Sequence, residues 1–386
     1  MSKNAVKSIS ILSLGTATLL MASGVQALNF KVDKTDVDVY GYAKLDVIYD
    51  VDADLTNTVN RGKIRLDDTA GVDGHTTMHA FQSRLGLTTT TALGDDVLKT
   101  NVEGDFYGDG GFADGGGGFR LRHAYGVWKG VLAGQTWSNF GNTISLFPTV
   151  DFNGPLAKGG GRQAQVRYTT GKFSFSAEDP QQGGTVNSAG NTQYRLPDMT
   201  ARYQNTDGPV QFSVAGLARF LEYDAEGASP ANPAFTDDSA LGWGVTLEAK
   251  TQLTKAVTLR GAITHGDGIG GYLYISPSSA PGYVDSAGNL ETIEATGGGA
   301  SVSVAVGPGA VNLGYGVAIA DLDDAYRNGD VLATANERFS STFVNYIWSP
   351  VDRITYGLEA GYHTREQVNG KDGSAVRLQA MLMFGF

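Results

Sequence analysis

From Val39 to Phe386, strand-like runs alternate with turn-forming breaks, and the breaks themselves alternate in length. Sixteen runs can be traced: 39–50, 77–91, 97–107, 118–129, 131–137, 161–170, 172–179, 197–204, 209–222, 240–251, 256–265, 297–306, 310–320, 337–348, 352–363 and 375–386. The short breaks include Leu93-Gly94-Asp95-Asp96, Lys129-Gly130, Gly171-Lys172, Asn205-Thr206-Asp207-Gly208, Gly307-Pro308-Gly309 and Ser349-Pro350-Val351. Each has the residues of a tight hairpin turn. The long breaks cover 51–76, 108–117, 138–160, 180–196, 223–239, 266–296, 321–336 and 364–374. This rhythm predicts antiparallel strands joined by short turns at one end and long loops at the other. A soluble sandwich has no reason to keep it, and a propeller would show similar blades.

Within the runs, residues two apart share a face. In the last run Val376, Leu378, Ala380, Leu382, Phe384 and Phe386 fall on one side, and Arg377, Gln379, Met381, Met383 and Gly385 on the other. Other apolar faces read Phe81, Leu85, Leu87; Leu241, Trp243, Val245, Leu247; and Val311, Leu313, Tyr315, Val317, Ile319. Beyond Met21 there is no apolar run long enough for a spanning helix. A chain of this kind crosses lipid only as a closed barrel, because every backbone group must be paired. An even strand number and unequal loop lengths fit a bacterial outer-membrane barrel. The sequence therefore predicts an all-β fold: a transmembrane antiparallel β-barrel of 16 strands with its apolar faces toward lipid. Tyr40, Tyr42, Tyr125, Trp128, Tyr203 and Trp348, near strand ends, suit interfacial girdles and ordinary strand packing equally well.

The first residues read as an export signal. Lys3 and Lys7 precede an apolar stretch from Ile9 to Met21, and Val25-Gln26-Ala27 fits a small-residue cleavage site. The expected division is a signal peptide at 1–27, a short periplasmic segment at 28–38 and the barrel at 39–386. The formal net charge is −11; without Lys3 and Lys7 it becomes −13, from 27 basic and 40 acidic residues. That balance argues against nucleic acid as a partner. Cysteine is absent, which excludes a disulfide framework, a thiolate metal site and a lipoprotein anchor.

If the apolar faces meet lipid, the alternate positions line the lumen. They include Arg84, Arg120, Arg122, Arg167, Arg202, Arg219, Arg260 and Arg377, with the acids Asp46, Glu103, Asp105, Glu178, Glu248 and Glu359. Guanidinium forks match carboxylate and phosphate, so the set favours anionic solutes. Equally, Arg84, Arg120 and Arg122 can pair with Glu103 and Asp105 across adjacent strands. The long break at 138–160 contains Phe140, Ile144, Leu146, Phe147, Phe152 and Leu156. It is too apolar for a solvated loop and is expected to fold inward as a constriction, or else to cover a subunit interface.

Three segments bring a specific resemblance. Gly134-Gln135-Thr136-Trp137-Ser138-Asn139-Phe140, Asp151-Phe152-Asn153-Gly154-Pro155 and Arg162-Gln163-Ala164-Gln165-Val166-Arg167-Tyr168 are similar to the DcaP-like porin family. Arg120-Leu121-Arg122-His123-Ala124-Tyr125-Gly126 agrees with it. The resemblance implies a homotrimeric outer-membrane channel, set among membrane lipids, that passes dicarboxylates and other small anions. It also implies that Arg120, Arg122, Arg162 and Arg167 form the constriction, with Asp151 on the folded-in loop. Some family members carry a long helical segment before the barrel; with only Leu28 to Asp38 available, no such stalk is expected.

Other chemistry finds little support. His75, His79, His123, His265 and His363 show no metal spacing, so neither metal nor cofactor is expected. No Ser sits in a G-x-S-x-G elbow. The glycines of His265–Gly271 lack the Lys and the helix of a phosphate loop. The Asp/Gly-rich loops have oxygen ligands of the type Ca²⁺ takes. The alternative to a passive channel is a barrel-rim enzyme of the lipase or protease type, which needs a Ser-His or paired-acid site that no local constellation supplies.

Overall fold

The computed structural model describes residues 28–108, 117–154, 156, 158–187, 191–225 and 237–386. The expected signal peptide lies outside the described residues, as do parts of the loops at 108–117 and 223–239.

Sixteen staves close into one sheet. In chain order they are Thr35–Asp50, the broken strand His75–His79 and Arg84–Leu93, Asp96–Gly108, Gly118–Trp128, Val131–Trp137, Arg162–Thr170, Phe173–Glu178 and Asp198–Asn205. Then follow Val210–Asp224, Asp238–Gln252, Val257–Asp267, Glu294–Val306, Gly309–Ala320, Asn336–Val351, Ile354–Gln367 and Asp372–Gly385. Each pairs antiparallel with the next. The last returns to the first, with Leu382 opposite Leu45 and Arg377 opposite Asp50. The ring thereby satisfies the backbone where lipid offers no partner.

The alternation expected from sequence sets which way each side chain points. Leu378, Phe384, Leu241, Val245, Leu313 and Leu358 are exposed on the outside, whereas Arg377, Gln379, Glu248 and Glu359 are buried on the inside. Aromatic residues cluster near the short turns: Phe173 lies 5.1 Å from Tyr203, and Tyr346 stacks on Trp348 at 5.0 Å. Of the expected girdle residues, Tyr40 points inward, donating its hydroxyl to Glu103 at 3.0 Å.

Three local departures have simple causes. Asp46 faces His79 and Tyr42 faces Arg84, so four steps on one strand oppose five on the other. The additional residue is a bulge. It turns Phe81, expected on the lipid face, toward the inside, where it stacks on His79 at 4.8 Å. A second shift between Glu103 and Gly104 lets Arg120, Arg122 and His123 all reach inward. Third, Leu28–Val32 is no loose lead-in: it pairs with Thr35–Val39 as a hairpin, so the sheet begins before the expected start at 39.

Candidate functional site

The loop at 138–160 runs along the inner wall, held by carboxylates that accept its backbone N–H groups. Glu178 takes Asn139 at 2.8 Å. Glu248 takes Thr143, Ile144 and Ser145 at 3.2, 2.7 and 2.8 Å. Glu359 takes Val150 and Asp151 at 2.8 and 2.9 Å. An inward-bent loop strands backbone donors, and these acids, placed inward by strand phase, satisfy them. Glycines make room for its apolar side chains. A Cβ at Gly314 would stand 3.1 Å from the Phe147 ring, and one at Gly316 3.1 Å from Leu156.

A second loop enters the lumen, which the sequence reading missed. Ile269, Tyr272 and Leu273 bury against Phe140 and Leu156 of the first loop, on wall residues Ala215, Leu217 and Ala318. Backbone bonds join the two loops, Gly160 N–H to Tyr272 and Tyr274 N–H to Lys158 at 2.7 and 3.0 Å. The same apolar content in a glycine-rich loop was the available signal.

Many of the inward arginines are neutralised. Arg120 meets Asp105 through two bonds of 3.0 and 2.9 Å, and Arg122 bridges Glu103 and Asp105 at 2.7 and 2.8 Å. Arg84 lies 3.3 Å from Glu103. Arg202 pairs with Glu248 at 2.7 Å, and Arg219 with Asp198 at 3.1 Å. Arg219 also donates to the carbonyls of Gly183, Gly268 and Ile269, tying loops to the wall. Arg377 pairs with Asp50 at 2.7 Å and with Asp151 at 3.1 Å. Asp151, expected in the constriction, is a buried tie: it also accepts the Val59 N–H at 3.2 Å.

Two cations beside this network have no carboxylate of their own among the described residues. Lys158 Nζ lies 4.2 Å from the Tyr274 ring centre and 4.7 Å from that of Trp137. Arg162 lies 5.0 Å from the same Trp137 ring, and its buried Nη1 has no hydrogen-bond partner among the described residues. Arg120 and Arg122 each stand 5.6 Å from Phe152. Burial first, then the charges of Arg162 and Arg122, pulls the Lys158 ammonium down to about 7. Among the described residues, Arg84, Arg120 and Arg122 form their ion pairs with Glu103 and Asp105, and Lys158 and Arg162 stand beside them without one. Arg167 bonds Gln165 and the Trp137 carbonyl and forms no ion pair among the described residues. Arg260 sits apart, on Ser303. Lys158, Tyr274 and Trp137 were not singled out from sequence, and neither was Arg61, buried on Ser341 at 2.8 Å.

The profile of the DcaP outer membrane protein family matches residues 25–386. The chain belongs to that family. The outer membrane channel DcaP of Acinetobacter baumannii is 26% identical and superposes with a TM-score of 0.80, covering 92% of this chain and 99% of that one. An anion-selective porin from Comamonas acidovorans shares the fold at TM-score 0.56 and 15% identity, covering 91% of this chain and 100% of that one. OmpT of Vibrio cholerae shares it at 0.52 and 12%, covering 93% and 100%. No curated protein matches the sequence. Like other members of the DcaP family, the protein is an outer-membrane porin.

Proposed function

We propose that this DcaP-family porin passes small anionic solutes, dicarboxylates among them, by passive diffusion, as a homotrimer exported by a cleaved signal peptide. The observation that carries the charge preference is the surplus at the inward loop: Lys158 and Arg162, without carboxylate partners among the described residues, beside the paired Arg120 and Arg122. In a narrow passage with low-dielectric walls such a surplus focuses anions. Arg162 presents a donor fork and Lys158 a point charge, which suits a short chain with a carboxylate at each end. Arg120 and Arg122 act chiefly by fixing Glu103 and Asp105, so that neither acid repels the solute. The trimer is supported by likeness of fold: OmpT of Vibrio cholerae, in its trimer form, superposes at TM-score 0.50 with 11% identity.

Succinate added to a chloride current in planar bilayers tests the site. Loss of a charge-assisted contact worth about 1.5 kcal/mol changes affinity roughly tenfold. The double variant K158Q/R162Q is therefore expected to raise the half-blocking succinate concentration by at least that factor. An unchanged half-blocking concentration overturns the assignment.

A further inference from the structure

Away from the inward loop, the strand pair Asp238–Gln252 and Val257–Asp267 carries two cations face to face. Lys250 is directly opposite Arg260. Both follow the inward phase of their strands, set by buried Glu248 and Thr264. Like charges directly opposite on a sheet are destabilising, so their juxtaposition calls for a compensating group. No carboxylate supplies it: neither residue forms an ion pair among the described residues. Glu248, one pleat along from Lys250, is committed to Arg202, Ser213 and the loop N–H groups.

Neighbouring strands extend the row with donors. Gln211 pairs with Lys250, and Ser301 with Arg260. Arg260 Nη1 donates to Ser303 at 2.6 Å. Ser301 is only 7% exposed, and its hydroxyl has no hydrogen-bond partner among the described residues. Four adjacent staves thus place an amide, an ammonium, a guanidinium and an unpartnered hydroxyl abreast, with two positive charges and no free acid. Lys250 lies two residues before the end of its strand, which a short turn joins to the next. Short turns mark the periplasmic side of such barrels, so the row lies on the periplasmic side of the loop held by Glu248.

We propose that Gln211, Lys250, Arg260 and Ser301 form a second anion-binding site, taking a carboxylate or tetrahedral oxyanion on the periplasmic side of the constriction. Two weak sites in series let a solute leave the first by moving to the second, as conduction requires. The inference rests on the porin reading but not on Lys158 or Arg162.

Crystals of the exported, membrane-purified protein soaked in selenate, with anomalous diffraction, test it. Wild type is expected to show a selenium peak between Lys250 and Arg260. K250Q/R260Q is expected to lose that peak and keep the one at Lys158 and Arg162; K158Q/R162Q should do the reverse. The single variant K250Q, expected to weaken the peak by at least half, serves if the double variant does not fold. No peak at Lys250 and Arg260 in wild type overturns the second site, and a peak unchanged in K250Q/R260Q does the same. Absence of the peak at Lys158 and Arg162 alone counts against the constriction assignment and leaves the second site standing.

Discussion

Removing Glu248 should release the inward loop. Its carboxylate accepts three consecutive loop N–H groups together with the Ser145 and Ser213 hydroxyls, and it neutralises Arg202 at 2.7 Å. Glu248→Ala leaves Arg202, whose side chain is 6% exposed, without its counter-charge. Orphaning one member of a buried ion pair costs about 3–5 kcal/mol. Even the lower figure shifts the ratio of docked to released loop by about a hundredfold. Glu178 still holds the loop at Asn139 and Glu359 still holds it at Val150 and Asp151, so the barrel itself should persist. Single-channel recording should show a larger mean conductance than wild type and fluctuation among sublevels. E248L/R202M, which removes both charges, should return part way to wild-type conductance, because no buried charge is then left alone. Wild-type conductance and noise in a folded E248A protein would refute the view that this carboxylate holds the loop.

Other consequences concern charge, packing and closure. The Lys158 ammonium, lowered to about 7, is charged below that pH and neutral above it, so anion preference should be greater at pH 6 than at pH 8. K158M should abolish that difference in reversal-potential measurements. Gly314→Val places methyl groups against the Phe147 ring, where a Cβ already stands at 3.1 Å; overpacking of about 1–3 kcal/mol should displace the loop and raise conductance. Asp50→Ala leaves Arg377 with Asp151 as its one remaining carboxylate among the described residues, at the seam where the last strand meets the first. The unfolding temperature on heated gels should fall, and an unchanged temperature would show the pair to be dispensable.

The staves were legible because their signal is local. Residues two apart share a face whatever lies elsewhere, and Arg377 against Leu378 follows from position alone. The bulge between His79 and Arg84 was not legible, since one inserted residue leaves no mark on composition while reversing Phe81. The apolar content of 138–160 revealed the inward loop, but its carboxylate anchors depend on strands far apart in sequence. Glu359 meets Val150 across 209 positions. Arginine roles stayed open for a different reason: Arg122 lies only 19 and 17 positions from Glu103 and Asp105, and whether they pair depends on the register of adjacent strands. Lys158 stood out only when a second loop that lacks any period brought Tyr274 over it, beside Trp137 of the wall.

The sign of the zero-current potential in a potassium chloride gradient tests the central claim most directly. With the protein reconstituted in planar bilayers, chloride should permeate faster than potassium, and K158Q/R162Q should move the potential toward zero. A potential of the opposite sign in wild type, showing potassium preferred, would contradict the reading of Lys158 and Arg162 as the charges that select what passes.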